Sequence, residues 1–508
     1  MTPLNWGILF PLILYLCGMY FVTIWLSRNK GILTSGGFIE EYFLGSRGMG
    51  ALILALTLMA TYTSGSSFLG GPGMAYKMGF GWVLLAMIQV PTALLTLGVL
   101  GKRFAIIARR IHAVTLNDFL RARYQSPFVV VGGALSILLF SCAAMSAQFI
   151  AGGRLLESVT GLPYGIALLL FAGTVVLYTT FGGFRAVVLT DAIQGVIMVG
   201  GTLLLLYATL RSGGGIAAIV GTLKEIDPDL LSPTGPAGFI SQPFILSFWL
   251  LVGFGVIGLP FSSVRCMGYK NSKAMHRGII ISSVVLTVVM LGMHLTGALG
   301  RAVMPGIEQV DRVIPEMALR LLSPVLAGIF LAGPLAAIMS SVDSQLILAS
   351  AAIVKDLYIN HIAGESGSLD EGKIKRLSFL TTAFLGSISF LIAFNPPSVI
   401  VWINLFAFGG LEAAFLLPTL LGLYWKRANA AGAMASMLTG VCSFIGISQI
   451  TSRVLGMHVI VPSIALALFV FVLVSLITKP PSPEIINIFW GHKRLPESSE
   501  IDRRSFRS

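Results

Sequence analysis

The feature that most constrains this chain is a series of long apolar segments that recurs along nearly its whole length. Only 11% of the 508 residues are charged and 56% are hydrophobic, whereas soluble domains carry about 25% charged residues. A membrane-crossing helix needs roughly 20 apolar residues, and about thirteen such segments can be placed between the charged stretches. We therefore predict an all-α polytopic membrane protein.

The predicted spans leave only short connections between them. They lie at 4–26, 50–75, 81–100, 128–150, 163–182, 188–210, 244–265, 278–300, 322–354, 378–394, 398–423, 431–449 and 458–478. No stretch between them is long enough for a second folded domain, so we expect residues 1–478 to form a single transmembrane domain. Residues 479–508 are short, polar and proline-bearing, and we expect them to be a flexible cytoplasmic tail.

The distribution of positive charge predicts the orientation. When the N-terminus is placed outside, most of the 34 Lys and Arg residues fall in cytoplasmic connections such as 102–123 and 265–277, or in the tail. Cytoplasmic loops are enriched in Lys and Arg, so we expect the N-terminus outside and the C-terminus in the cytoplasm. The same distribution explains the net charge of +13 without a nucleic-acid-binding domain.

The cysteines and the catalytic motifs exclude several function classes. Cys17, Cys142, Cys266 and Cys442 all lie within or at the ends of apolar segments, without CxxC or Cys/His spacing. We therefore expect neither a disulfide framework nor a zinc site. The sequence contains no HExxH, GxSxG or GxxxxGK motif, so an enzyme is not expected.

Two spans carry signs of a broken helix. The second span, LALTLMATYTSGSSFLGGPGMAY at 54–76, is dense in hydroxyl side chains and glycines, and the seventh, FWLLVGFGVIGLPFSSVR at 248–265, contains glycines and a proline. Transporters with inverted repeats bind substrate and ions where corresponding helices of the two repeats unwind. The two segments are five spans apart, which predicts a five-plus-five repeat with core repeats at about 50–210 and 244–423. The alternative is that these glycines only allow close helix packing.

The ninth span concentrates polar side chains in an apolar helix. Ser340, Ser341 and Asp343 lie within GPLAAIMSSVDSQLILAS, and the carbonyl of Ala337 is on the same side as the two serines. Polar groups in a span are costly and tend to be functional, and hydroxyl and carbonyl oxygens are hard ligands suited to an alkali cation. Alternatively, both serines bond only to carbonyls of their own helix.

Other polar residues in the spans admit simpler explanations. Asp191 begins the sixth span, where it either assists ion release or caps the helix. Glu412 in the eleventh span and Gln148 in the fourth are explained by hydrogen bonds between helices. Arg154, at an outer helix end, is interpreted as a loop charge.

Three segments, GGFRAVVLTDAIQGV, LAAIMSSVDSQLILAS and LYWKRANAAGA, together resemble the sodium/solute symporter family. The resemblance covers nearly the whole chain. It implies a core of ten helices in two inverted repeats, the LeuT-like arrangement, which alternates between outward and inward openings. It also implies a multi-pass protein of the cell inner membrane with Na⁺ as the co-transported ion.

The resemblance also implies the ion site. The residues that correspond to the sodium ligands of the family, three through backbone carbonyls and two through hydroxyls, are Ala60, Thr63, Ala337, Ser340 and Ser341. Asp191 matches the family aspartate associated with sodium release to the cytoplasm. Asp343 is expected to serve either this release or a second ion site.

Further segments, including TSGSSFLGGPGMAYKMGFGWVLLAMIQ and AFGGLEAAFLLP, most resemble the branch of the family that transports pantothenate. Tyr62 stands where proline-transporting relatives have an aspartate, which favours a different substrate. The residues expected to contact this small anion are Tyr62, Ser64, Ser66, Ser67, Gln148, Phe254 and Gly255. A symporter for another small organic anion, or for an amino acid such as proline, is the alternative.

Two function classes other than secondary transport, a membrane sensor and an ion channel, fit the sequence less well. A membrane sensor would need a cytoplasmic output domain, for which the tail is too short. A channel would need a continuous polar pore, whereas polarity here is concentrated in two predicted breaks and one facing helix. A secondary transporter is therefore the favoured interpretation.

Overall fold

The computed structural model describes residues 5–28, 37–44, 47–363, 371–396 and 399–491, and nearly all of them are helical. The helices of the first part are α1 (Trp6–Arg28), α2 (Gly37–Leu44), α3 (Ala51–Tyr62), α4 (Gly71–Met78), α5 (Phe80–Met87), α6 (Thr92–Leu95), α7 (Lys102–Arg110), α8 (Leu116–Tyr124), α9 (Pro127–Thr160) and α10 (Tyr164–Ser212). Two π-helical turns, Ser66–Gly70 and Thr96–Gly101, interrupt the second and third predicted spans.

The second part of the chain continues in the same way. Its helices are α11 (Ile216–Ile226), α12 (Gln242–Phe248), α13 (Pro260–Gly268), α14 (Ser272–Val303), α15 (Val313–Leu321), α16 (Pro324–Ala351), α17 (Glu371–Phe394), α18 (Ile400–Tyr424), α19 (Ala430–Ile450), α20 (Ile460–Ile477) and α21 (Pro483–Trp490). π-helical segments at Trp249–Phe254 and Ala352–Ala363 and 3₁₀ turns at Pro228–Leu231, Pro236–Gly238, Gly255–Gly258 and Val310–Arg312 complete the helical structure. Two short antiparallel strands, β1 (Arg453–Val454) and β2 (Met457–His458), form a hairpin.

The spans agree with the sequence prediction. Eleven described helices are long and apolar enough to cross a membrane, or up to 13 when each of two bent pairs counts as one span. One bent pair joins α3 to Ser66–Met78 at 69°, and the other joins Gln242–Gly258 to α13 at 50°. The two breaks predicted from glycine, proline and hydroxyl content are therefore present. The fifth and sixth predicted spans differ in one respect, because both lie within the single helical run α10.

Local sequence explains where several helices begin. Thr115 and Asp118 form a reciprocal capping box at the start of α8, which satisfies two backbone N–H groups that have no partner in the first turn. The side chains of Asn271 and Asn429 accept backbone N–H groups of α14 and α19, at 2.9 Å in both cases. The helices α9, α12, α13, α16 and α21 carry proline in the first turn, where its missing N–H is not needed.

The packing is that of a membrane protein. The spans that contain α16 and α18 are the most enclosed by the rest of the chain. Large apolar side chains such as Phe10, Leu135, Phe384 and Phe469 are exposed on the periphery. An apolar outer surface of this kind is expected where lipid is the solvent.

The connections gather at two ends of the helix bundle. At one end, Arg47 donates to the carbonyl of Ala113 at 2.8 Å, and Met49 pairs with Tyr269. At the other end, Arg453 donates to the carbonyl of Phe239 at 2.9 Å. The first end contains the basic connections that the sequence assigns to the cytoplasm.

Part of the segment expected to be a flexible tail is a helix packed on the bundle. Ile485 and Phe489 of α21 are buried, and Arg110 donates to the carbonyl of Ile488 at 2.5 Å. Arg123 lies over the ring of Phe489, 5.6 Å from its centre. The amphipathic sequence PEIINIFW provides this apolar face. It is not apparent when residues 479–508 are considered together, because most of them are polar. Residues 492–508 lie outside the described residues.

Candidate functional site

The first broken span unwinds between α3 and α4. Thr63 follows the last residue of α3 in an extended conformation, with φ −91° and ψ 134°, and the π-helical turn Ser66–Gly70 comes after it. Gly65 is required between them, because a Cβ at this position would lie 2.6 Å from the Cβ of Ala151. The close approach of α9 therefore fixes the position of the break.

The side chain of Gln148 bridges this break and α18. The N–H of Gly65 donates to Oε1 of Gln148 at 2.8 Å, and Nε2 of Gln148 donates to Oδ1 of Asn404 at 3.2 Å. A hydrogen bond between helices, the simpler explanation considered for Gln148, is thus present. Its predicted contact with substrate stays a prediction.

The five residues expected to bind sodium lie together. Oγ of Ser340 is 2.9 Å from the carbonyl oxygen of Ala60 and 3.0 Å from that of Ala337. Oγ of Ser341 is 3.2 Å from the carbonyl oxygen of Thr63 and 3.0 Å from that of Ala337. All five residues are buried. The structure therefore brings three carbonyl and two hydroxyl oxygens into one cluster between the first break and α16.

The break is what makes these carbonyls available. The last carbonyls of a helix lack intrahelical partners, and Ala60 and Thr63 lie at the end of α3. The two serines bond to Ala337 of their own helix, as the simpler interpretation expected, and also to the carbonyls across the break. Five uncharged hard oxygens joined by these contacts are a donor set suited to an alkali cation.

Asp191 belongs to a second cluster, which the sequence did not predict. Its Oδ2 accepts a hydrogen bond from Thr57 at 2.6 Å and forms an ion pair with Nη2 of Arg265 at 3.1 Å. The same Nη2 donates to Oγ of Ser344 at 2.9 Å. The cluster thus joins α3, α10, α13 and α16 one or two turns from the sodium-ligand candidates.

The sequence-based assignment of Arg265 to a cytoplasmic connection is wrong, because the residue is buried within the helix bundle. Its side chain is 1% exposed in an ion pair with a fully buried partner. The reason is the second break, after which α13 runs inside the bundle as far as Gly268. A buried arginine is tolerated there because four hydrogen-bond acceptors, Thr57, Phe261, Asp191 and Ser344, surround its guanidinium.

Asp343 lies in α16 on the side that faces α10. Its carboxylate accepts hydrogen bonds from the hydroxyl of Tyr178 and, at 2.5 Å, from that of Thr179. It is fully buried and is not part of the five-oxygen cluster. Its predicted role in ion release or in a second ion site stays a prediction.

The hydroxyl side chains of the first break line a small central cavity. Tyr62, Ser64, Ser66 and Ser67, all predicted to contact substrate, border a cavity of about 40 Å³. A water molecule needs roughly 10–15 Å³ of such space. The cavity therefore has room for a few waters and is too small for an organic ligand, so the protein is closed around this cavity.

Phe254 and Gly255, also predicted to contact substrate, do not border this closed cavity, and their contact with substrate stays a prediction. Phe254 is 40% exposed, and Gly255 packs against Glu412, where a Cβ would lie 2.6 Å from Oε2. The cause is the π-helical turn Trp249–Phe254, which shifts the helix face relative to an α-helix. Phe248 and Val252 of the same span border the cavity instead.

Several cavity residues were missed by the sequence analysis. Trp82, Gln89, His294 and Asn404 all border the central cavity. His294 and Asn404 interrupt apolar segments, GMHLTG and WINLFA, and an unexplained polar residue in a span is the signal that could have identified them. Gln89 interrupts the apolar segment LLAMIQVP and carries the same signal, whereas Trp82 carries none because it lies at the start of the third span.

A larger, open cavity lies at the end of the bundle that contains the β1–β2 hairpin. It has a volume of about 920 Å³, and Leu405 borders both it and the central cavity. Its charged side chains are Lys77, Arg154, Arg312 and Arg453, with Glu308 and Asp311 opposing them. The entrance is therefore net positive, which favours the approach of anions.

Asp311 is the half-buried carboxyl of this entrance. Burial raises its pKa to about 6, against the opposing effects of a hydrogen bond from the backbone of Ile400 and of the nearby Arg154. His458 on β2 shows the reverse shift, because burial and the neighbouring Arg453 lower its pKa to about 4. At neutral pH the entrance thus contains an ionised Asp311 and a neutral His458.

Comparison with known proteins agrees with this architecture. The chain is 50% identical to the sodium/pantothenate symporter of Haemophilus influenzae over 92% of its own length and 96% of the relative. It is 51% identical to the sodium/pantothenate symporter of Escherichia coli, over 91% and 95% of the two chains.

The fold is also found in solved structures. The outward-open, substrate-bound structure of a Na⁺-coupled sialic acid symporter aligns with a TM-score of 0.81 at 18% identity, covering 94% of this chain and 99% of that one. This likeness confirms the predicted LeuT-like fold. Residues 42–440 match the model of the sodium:solute symporter family. With this match and the half-identical relatives, the chain belongs to the sodium:solute symporter family.

Proposed function

We propose that the protein imports pantothenate together with Na⁺ by alternating access. The observation that carries the proposal is the five-oxygen cluster at the first break, directly beside a cavity lined by hydroxyl side chains. The relatives named sodium/pantothenate symporters, identical at half of their positions, support the substrate.

Na⁺ binds at the cluster formed by Ala60, Thr63, Ala337, Ser340 and Ser341. In the closed structure both serine hydroxyls donate to carbonyls. When a cation binds, the two hydroxyl groups rotate so that their oxygen lone pairs point at the ion. The hydrogen bonds to the carbonyls are then replaced by coordination of the ion. The ion therefore ties the unwound backbone of the first break to α16 more firmly than two hydrogen bonds do.

Coupling follows from the short stretch of backbone that the two sites share. The carbonyl of Thr63 belongs to the ion cluster, and the adjacent Ser64 borders the substrate cavity. Ordering of this stretch by Na⁺ prepares the hydroxyls of Ser64, Ser66 and Ser67 for substrate, and substrate in turn retains the ion. Such reciprocity is required of any pair of coupled sites.

Pantothenate is a monoanion with two hydroxyls and an amide. The hydroxyls and free backbone N–H groups of the break suit these groups, and the start of the helix after the break offers a positive dipole end to the carboxylate. Tyr62 and Gln148 complete the polar surface. The cavity must widen to admit the molecule, so the closed structure is one member of the transport cycle.

During release, Na⁺ passes the carboxylate of Asp191. Once Na⁺ has left, Arg265 is the cationic partner of that carboxylate. Asp343 is a candidate for a second ion site. One Na⁺ with one monoanion moves no net charge, whereas a second Na⁺ adds about 2.3 kcal/mol of driving force per 100 mV. Dependence of uptake on membrane potential therefore distinguishes the two stoichiometries.

The transmembrane domain of residues 1–478, with repeats at about 50–210 and 244–423, lies in the inner membrane with the N-terminus outside. The basic end of the bundle then faces the cytoplasm. In a variant without native cysteines, Ser452→Cys should react with a membrane-impermeant maleimide on intact cells, and Lys426→Cys only after permeabilisation. The reverse pattern would overturn the orientation.

Uptake of labelled pantothenate into proteoliposomes tests the function. An inward Na⁺ gradient should drive accumulation above the equilibrium level, and an equal K⁺ gradient should not. Failure of folded protein to take up pantothenate, with sodium-driven uptake of proline or another small anion instead, would contradict the substrate. Uptake without any requirement for Na⁺ would contradict the coupling.

A further inference from the structure

Glu412 is a buried carboxyl for which the proposed transport cycle has no role. It lies in α18 and is fully buried, and neither of its carboxyl oxygens has a hydrogen-bond partner among the described residues. Asp191 and Asp343, two other carboxyls of the membrane-spanning helices, both accept hydrogen bonds from neighbouring side chains. Glu412 is therefore not the satisfied interhelical hydrogen bond that the sequence suggested.

The carboxyl faces the second broken span at the point where it unwinds. Gly255 and Gly258 form the surface that meets α18, and Cβ atoms there would lie 2.6 Å from Oε2 of Glu412 and 2.7 Å from Cα of Leu416. Bulkier residues would force the helices apart. Glu412 is therefore enclosed by direct contact between α18 and the 3₁₀ turn Gly255–Gly258.

The surroundings offer this carboxyl no compensating charge. The arginines of α9 and of the second broken span, Arg154 and Arg265, form ion pairs with Glu157 and Asp191, and α19 contains no Lys, Arg or His. The groups that α9 and α19 direct at the neighbouring Gly410 and Gly409 are the rings of Phe140 and Phe444. The carbonyl of Leu250 accepts the N–H of Gly255.

We propose that Glu412 is a proton-binding site, occupied in this closed conformation and emptied when the second broken span moves away from α18. An unpaired carboxylate is far more costly to bury than the neutral acid. A metal cation is a poorer occupant, because hard cations require several oxygen ligands and no group of three or more His, Cys, Asp or Glu side chains in the described part of the chain could hold one. The proton is exchanged with water that reaches Glu412 when the helices separate.

This inference goes beyond the proposed function and does not depend on the substrate. It adds a proton-dependent step to the cycle of a sodium symporter. Alkaline conditions should oppose the closed conformation, because closure then requires Glu412 to take up a proton from water in which protons are scarce.

Infrared difference spectroscopy of the purified protein tests the protonation state directly. At about pH 7, Glu412→Gln should lack carboxylic-acid C=O intensity that the wild type has. The matched control Glu225→Gln, at an exposed residue of α11, should lack carboxylate intensity instead. Loss of carboxylate intensity in Glu412→Gln would overturn the proposal, since it would mean that water or a cation holds an ionised Glu412.

Thermal unfolding provides a second measurement. Between about pH 6 and pH 9, wild-type stability should fall more than that of Glu412→Gln, because the wild type holds at position 412 one additional proton that the unfolded chain releases. Equal pH dependence of the two proteins would contradict the proposal. Glu412→Met serves in place of the Gln variant if that variant does not fold, because an apolar neutral side chain suits the same surroundings.

Discussion

At the scale of single residues, the ion pair of Arg265 and Asp191 carries the largest expected effect on stability. Both side chains are almost completely buried, and removal of one partner from a buried pair costs about 3–5 kcal/mol because the other charge remains. We expect Arg265→Met to lower the free energy of unfolding by this amount, and Asp191→Asn in the same chain to restore part of it. Reversible unfolding in detergent of the wild type, the two single variants and the double variant measures both effects.

The control for this prediction is Arg154→Met. Arg154 pairs with Glu157 at 2.9 Å, but its side chain is 32% exposed, and partly exposed pairs contribute about 0–1 kcal/mol. A loss from Arg154→Met as large as that from Arg265→Met would show that general charge effects, and not burial, determine the result.

Asp311 gives a pH dependence with a definite sign. Its folded-state pKa is about 6, above the ordinary value of about 3.9. Between these values the folded protein holds a proton that the unfolded chain has released, so stability falls as pH rises through this window. We expect a change from about pH 4 to pH 7 to lower the stability of the wild type by about 2 kcal/mol or less relative to Asp311→Asn. An equal change in stability with pH in the wild type and Asp311→Asn, measured by thermal unfolding, would contradict the raised pKa of Asp311.

At the scale of elements, the first break depends on Gly65. A Cβ here would lie 2.6 Å from Ala151 and 3.1 Å from Oε1 of Gln148, so the alanine variant must displace the break or α9. We expect Gly65→Ala to lower the melting temperature and to raise the Na⁺ concentration needed for half-maximal uptake. Ala151→Gly should partly restore both, since it removes the nearest contact.

Gly446→Ala in α19 is the matched control, because nothing lies within 4 Å of the added methyl group. It should leave uptake unchanged and stabilise the helix slightly. If Gly65→Ala behaved in the same way, the break would not depend on the space between α3 and α9.

The breaks themselves could be predicted from sequence, since glycine, proline and hydroxyl side chains act locally. The direction of the side chains next to a break could not. The expected inward position of Phe254 presupposes 3.6 residues per turn, whereas Phe254 ends the π-helical turn Trp249–Phe254 and is 40% exposed. Arg265 was placed outside for a related reason, since charge alone does not reveal how far a broken helix continues within the bundle.

At the scale of the whole molecule, the ion cluster joins residues far apart in sequence. Ser340 meets Ala60 across 280 positions, and no periodicity predicts that meeting. The resemblance to a family predicted that these residues form one site. The polar residues within the spans indicated only that each segment differs from an ordinary apolar helix. His294 and Asn404 show the limit of that signal, because a lone polar residue in a span identifies a site only once its neighbours are known.

The central claim is that the cluster of Ala60, Thr63, Ala337, Ser340 and Ser341 binds the driving Na⁺. The most direct test is the Na⁺ concentration for half-maximal pantothenate uptake by wild type, Ser340→Ala and the control Ser350→Ala, which alters a buried serine of the same helix, ten positions further along. Loss of one ligand worth about 1–3 kcal/mol should raise this concentration by about 5- to 150-fold in Ser340→Ala. Ser350→Ala should match the wild type. If Ser340→Ala kept the wild-type Na⁺ dependence while folded, the ion would bind elsewhere and the account would be wrong.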